Sequence, residues 1–155
     1  MLSKTKKKLS RLLVAMDGSE LSMKVADYAI TIAKKGEDNT QITALHVIHS
    51  QIKYLYSALI TPSIRETIIE GAKQEAQEWL SQVKEKANEY NVELKVEFIV
   101  DPTSIIGAIV EYAERENIDL IVIGSRGLTG FRKLLLGSVA SGVVTYAHCP
   151  VLVVK

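Results

Sequence analysis

The sequence predicts an α/β fold with a mostly parallel sheet, and three observations carry that prediction. Five short apolar runs are spread along the chain, and stretches of helical periodicity fill the intervals between them. Three of the runs are nearly unbroken in Val, Ile and Leu, the composition of strands covered on both faces. Strand and helix alternate from one end to the other, and no internal repeat, low-complexity segment or linker interrupts them.

RLLVAM (11–16) is the first strand. The 19–35 stretch spaces Val25, Ala26, Ala29, Ile30 and Ala33 by threes and fours, and Lys34, Lys35 and Gly36 mark its C-terminal end. QITALHVI (41–48) is the second strand. Residues 49–61 are the least regular, and read either as a flap over a crevice or as a long connection. A helix is expected over 64–90 through Ile68, Ala72, Ala76, Trp79, Leu80, Val83, Ala87 and Tyr90, with Ser63 and Glu66 at capping-box spacing. ELKVEFIV (93–100) sets Leu94, Val96 and Phe98 against Glu93, Lys95 and Glu97, the alternation of an edge strand. Ile105, Ile106, Ile109, Tyr112 and Ala113 predict a helix over 104–116 behind Pro102 and Thr103. DLIVIG (119–124), a glycine-rich connection, a last helix over about 138–147 and PVLVVK (150–155) complete the set.

At 155 residues the chain fits a single domain, 1–155, with a basic tail over 1–10. Lys4, Lys6, Lys7, Lys8 and Arg11 open the chain, yet the net charge is only +1, which gives no global pull toward nucleic acid. Cys149 is the single cysteine, so no intramolecular disulfide forms, in keeping with a reducing compartment. No apolar run has signal-peptide or membrane-helix length, so a cytoplasmic protein without a membrane partner is expected.

Right-handed crossovers leave few topologies. If strand order reverses once, a crevice opens outside the carboxyl ends of the first and fourth strands, where MDGSE and GSRG collect polar and glycine residues. The stretch GSRGLTGFRKLLLGS (124–138) holds four of the nine glycines. A phosphate needs several donors converging on a small volume, and backbone amides without an obstructing Cβ supply them, helped by a helix N-terminus. Gly124 and Gly127 would let the chain pass close to an anion, and Gly137 and Ser138 open the last helix toward the same crevice. Ser138 would either cap that helix or bond a phosphate oxygen, while Arg126, Arg132 and Lys133 make the surroundings positive. The Walker pattern G-x-x-x-x-G-K-[ST] and the dinucleotide pattern G-x-G-x-x-G are both missing, which argues against a P-loop NTPase and an ordinary NAD enzyme.

VAMDGS (14–19), LHVI (45–48), the pattern G-x2-G-x9-G-[ST] read from Gly124, Gly127, Gly137 and Ser138, and the ending AHCPVLVVK resemble the universal stress protein family. The resemblance covers nearly the whole chain and is weakest over 49–92. It implies a Rossmann-like, doubly wound, five-stranded parallel sheet in the order 3-2-1-4-5, with helices on both faces. It also implies ATP as ligand, with Mg²⁺ or Mn²⁺ held mainly through the phosphates. In the implied pose Asp17 and the Ala15 backbone face the nucleoside, Met16 counts among the binding residues, and the Val47 backbone meets the adenine. Ile123, Gly124, Ser125, Arg126 and Gly127 line the ribose and phosphates, and Gly137, Ser138, Val139 and Ala140 donate from the helix start. Gly142 departs from the family resemblance, since many relatives carry a charged, helix-favouring sequence there, and glycine costs roughly 1 kcal/mol relative to alanine inside a helix.

Several single residues keep a plainer reading. Asp17 is either a ligand contact or a cap of the helix after it, a role open equally to Ser19. His46 reads as a packed strand residue, Trp79 as core or helix-packing surface, and His148 with Cys149 as a structural turn. The final run PVLVV lacks a charge before Lys155 and would lie at a sheet edge, which invites pairing with a second copy. The resemblance implies a homodimer through Val151 to Val154. The functional expectation is a nucleotide-dependent stress-response module. The alternatives are a slow ATP hydrolase, for which no well-placed general base is visible, and an interaction or chaperone-like protein with a vestigial pocket.

Overall fold

The structure is a computed structural model that describes residues 9–36, 39–49, 60–128 and 136–155. The strands are β1 (Arg11–Met16), β2 (Gln41–Ile48), β3 (Glu93–Val100), β4 (Leu120–Gly124) and β5 (Val151–Val154). The helices among the described residues are α1 (Glu20–Lys35), α2 (Pro62–Glu89), α3 (Ile105–Arg115) and α4 (Ser138–Tyr146). All strand pairs are parallel, in the order β3-β2-β1-β4-β5. Strand order therefore reverses beside β1, between β2 and β4, and the expected crevice lies there.

Side chains alternate across the sheet, so each strand feeds two cores. Leu12, Val14 and Met16 of β1, Ile42 and Ala44 of β2, and Leu120 and Val122 of β4 pack under α1 and α2. Leu13 and Leu45, with Ile121 and Ile123, pack on the other face against Ile109, Tyr112, Ala140 and Val143 of α3 and α4. This two-sided burial is why those runs lack alternation. β3 does alternate and is an edge, as its sequence predicts.

Two helix starts and one helix face differ from expectation. The long helix begins at Pro62, capped by Thr61, whose Oγ1 accepts from Ile64 N at 3.3 Å; the Ser63–Glu66 capping box does not form. Proline suits that first position because its missing N–H would have had no helical partner. Ile68 and Tyr90, assigned by period to the helix's apolar stripe, are exposed, and the buried stripe is Ala76, Leu80, Val83 and Ala87. The third helix starts at Ile105 behind Ser104, whose Oγ accepts from Gly107 N at 3.1 Å, and not behind Pro102 and Thr103.

Gly142 has a steric reason. A Cβ there would run into the Ile106 side chain, with Cγ1 at 2.9 Å and Cδ1 closer still, so its absence lets α4 lie against α3. The nine residues of α4 are too few to hold a helix in isolation. Burial of Ala140 and Val143 fixes the helix and, with it, the direction of its N-terminus. Among the described residues no helix is long and apolar enough to cross a membrane.

Candidate functional site

The chain leaves β1 through Asp17, Gly18 and Ser19. Gly18 has φ +81, and a Cβ on it would stand 2.9 Å from Trp79 Nε1, so both backbone and packing demand glycine. Ser19 is the N-cap of α1, its Oγ accepting from Ser22 N at 3.1 Å. Asp17 therefore does not cap the helix. Its Oδ1 accepts from Ser19 N at 3.0 Å, and its Oδ2 accepts from Leu128 N at 2.9 Å, across 111 residues of chain. This carboxylate pins the loop after β4 to the loop after β1.

Beyond β4, Ser125 is buried and joins three segments. Its N–H donates to the Val154 carbonyl of β5, and its own carbonyl accepts from Gly137 N, both at 2.7 Å. The end of the fourth strand and the beginning of the last helix thus touch directly. Two of the three motif glycines, Gly127 and Gly137, are held by this closeness. A Cβ on Gly137 would lie 3.2 Å from Ser125 O, and one on Gly127 only 2.7 Å from Asp17 Oδ2. The sequence assigns these glycines to the approach of an anion; within the protein itself a Cβ at either would already press on a neighbour that must give way.

Gly137, not Ser138, occupies the N-cap of α4, and no side chain caps the helix. Ser138, Val139 and Ala140 form its first turn, where backbone N–H groups have no acceptor within the helix. Their unmet donors and the positive end of the helix dipole make the helix start attractive to an anion.

These segments enclose a cavity of about 520 Å³. Its lining includes Asp17, the loop Gly124, Ser125, Arg126 and Gly127, and the helix start Gly137, Ser138, Val139 and Ala140. Its apolar lining includes Ala15, Val47 and Ile123, and Met16 borders it at the end of β1 although its side chain packs under α1 and α2. All of the residues expected at the site from the sequence therefore line one cavity. Ser22, Leu45, Ile105, Ile109 and Leu128 line it as well and were not expected. Leu45 was readable, since it shares a strand face with Val47. Ile105 and Ile109 have helical spacing on α3, but nothing in the sequence brings α3 beside β2. Arg126 is exposed at the rim; Arg132 and Lys133 lie outside the described residues. Trp79 packs in the core under α1 and α2, and Cys149 is half-buried against the core under α3 and α4.

A cavity that combines amide donors with aliphatic walls suits a ligand with both an anionic and an apolar part. Comparison with known proteins gives this arrangement a family. The model of the universal stress protein family matches residues 8–155. The chain belongs to the universal stress protein family. Universal stress protein MJ0531 of Methanocaldococcus jannaschii is 39% identical over 145 residues, covering 94% of this chain and 81% of that one. Universal stress protein YxiE of Bacillus subtilis is 33% identical over 150 residues, covering 94% and 99%. Among solved structures, universal stress protein UspA from Lactobacillus plantarum superposes with a TM-score of 0.75 at 26% identity, covering 97% of this chain and 100% of the other. Three universal stress protein structures of the same fold, at 20–23% identity and TM-scores of 0.65–0.67, were solved with cAMP, dAMP and AMP respectively; each covers at least 94% of this chain and 91% of its own.

Proposed function

We propose that this universal stress protein binds ATP in the cavity between the carboxyl ends of β1 and β4 and acts as a nucleotide-dependent regulatory module in the cytoplasm. One observation carries the reading: the Gly137 N to Ser125 O bond of 2.7 Å, which sets the uncapped start of α4 beside the glycine loop on the wall of a largely apolar cavity. The amides of Ser138, Val139 and Ala140 would hold the phosphates, with Arg126 at the rim. Ala15, Val47 and Ile123 would enclose the nucleoside, with Leu45, Ile105 and Ile109 extending the apolar wall. The adenine nucleotides in structures of this fold set the ligand class to test first.

Among the described residues no three His, Cys, Asp or Glu side chains are grouped to hold a metal ion. Mg²⁺ or Mn²⁺ would therefore travel with the phosphates, and its contribution would be to neutralise them. The unit would be a homodimer paired along Val151–Val154. In support, β5 bonds only β4 within the sheet and carries the partly exposed Leu152 on its open edge. The apolar surface there is narrower than the sequence suggests, because Val154 is buried.

Isothermal titration calorimetry with ATP and Mg²⁺, together with analysis of any nucleotide released on denaturation, tests the reading. Saturable binding at one site per chain is expected; no heat and no co-purified nucleotide would refute it.

A further inference from the structure

On the reverse side of the sheet from the cavity, a second set of side chains holds the loop that carries Asp17. His46 lies between Leu45 and Val47, which face the cavity, and so points the other way, toward α2. Its Nδ1 is 2.8 Å from the Met16 carbonyl. A carbonyl only accepts, so Nδ1 carries the hydrogen in this contact. The ring meets Trp79 edge-on, with centroids 5.2 Å apart and planes at 87°, and meets Phe98 in the same manner at 6.1 Å. Trp79 in turn presses its Nε1 edge on Gly18 closely enough to exclude a Cβ. The main chain is thus held immediately before Asp17, at Met16 O, and immediately after it, at Gly18 Cα.

We infer that His46 and Trp79 are positioning residues of the nucleotide site. Fixing both neighbours of Asp17 leaves its carboxylate one direction in which to reach Ser19 N and Leu128 N together. The second of those bonds sets the position of the Gly127 turn on the cavity wall. An aliphatic side chain at residue 46 would fill the same space, but it could not grip the carbonyl at the end of β1. The geometry of this inference stands by itself, and its consequence for binding rests on the nucleotide reading.

The test compares His46→Leu, which removes the donor, with His46→Asn, whose Nδ2 is also a δ atom on Cγ and can donate from the same place. Hydrogen exchange at the Leu128 amide is followed by NMR without ligand, and affinity for ATP with Mg²⁺ by calorimetry. The leucine variant should exchange at Leu128 about tenfold faster and bind ATP about tenfold more weakly, as expected for one lost hydrogen bond. The asparagine variant should stay within about threefold of the parent in both. Unchanged Leu128 exchange in the leucine variant overturns the inference, as does an asparagine variant no better than leucine. A leucine variant that binds ATP as the parent does overturns it too. If the parent binds no ATP while Leu128 exchange responds as stated, the nucleotide reading fails and the control of the Asp17 loop stands. Should the leucine variant not fold, Trp79→Phe takes its place: faster Leu128 exchange is expected, and unchanged exchange overturns the inference.

Discussion

Gly127→Ala separates two explanations of the motif glycine. The added Cβ would sit 2.7 Å from Asp17 Oδ2, against an ordinary contact near ~3.4 Å. Gly127 is outside the left-handed region, so alanine adds no backbone strain. The carboxylate oxygen must withdraw by roughly 0.5 Å or more. Its bond to Leu128 N is 2.9 Å, and a retreat of that size carries it toward ~3.5 Å, where it ceases to act as a hydrogen bond. Bonds to charged groups contribute about 1.5–3 kcal/mol when shielded. Leu128 is 71% exposed, which reduces the figure to about 1 kcal/mol. ATP affinity should therefore fall about fivefold.

The assay is a double-mutant cycle, with calorimetry on the parent, Gly127→Ala, Asp17→Ala and the pair. Removing Asp17 also removes a negative charge from beside the phosphates, and the cycle cancels that effect. In the Asp17→Ala background the methyl has room, so Gly127→Ala should then cost almost nothing, a coupling of about 1 kcal/mol. An equal loss of affinity in both backgrounds would refute the reasoning and place the methyl against the ligand.

Other perturbations have outcomes set by the same contacts. Gly137→Val sets its side chain against two main-chain atoms, Ser125 O at 3.2 Å and Arg126 Cα at 3.6 Å; it should destabilise by about 1–3 kcal/mol in thermal melts and abolish ATP binding. Gly142→Ala gains about 1 kcal/mol of helix propensity but collides with Ile106, and at about 1–3 kcal/mol the overpacking wins. The melting midpoint should fall, and in an Ile106→Ala background the same substitution should raise it. Leu152→Lys charges the open edge of β5, and sedimentation velocity at micromolar concentration should show a dimeric parent and a monomeric variant. A monomeric parent would remove the proposed interface.

How much of this was legible in the sequence depended on the range over which each feature is determined. The unbroken apolar strands and the alternating β3 report burial directly, so sheet membership and the β3 edge could be read. Helix starts are less legible, because Thr61, Ser63, Ser104 and Thr103 all have capping chemistry and tertiary packing selects among them. Asp17 and Ser19 competed for one cap on paper, and the structure gives the cap to serine because Asp17 bonds an amide 111 residues away. No local pattern encodes such a bond. Gly142 is a flaw in a helix on sequence alone, and its reason is Ile106 of the neighbouring helix. The walls of the cavity were legible at the glycine loop and at β2, but its α3 side depends on how two helices pack on one sheet face.

The decisive measurement is an ¹⁵N NMR titration of the protein with ATP and Mg²⁺, reading the amides at the two places where the chain meets itself. Ser138, Val139 and Ala140 should shift together with Gly127, along one saturation curve, as the phosphates settle between them. Binding that moves amides elsewhere and leaves these four unmoved would contradict the account.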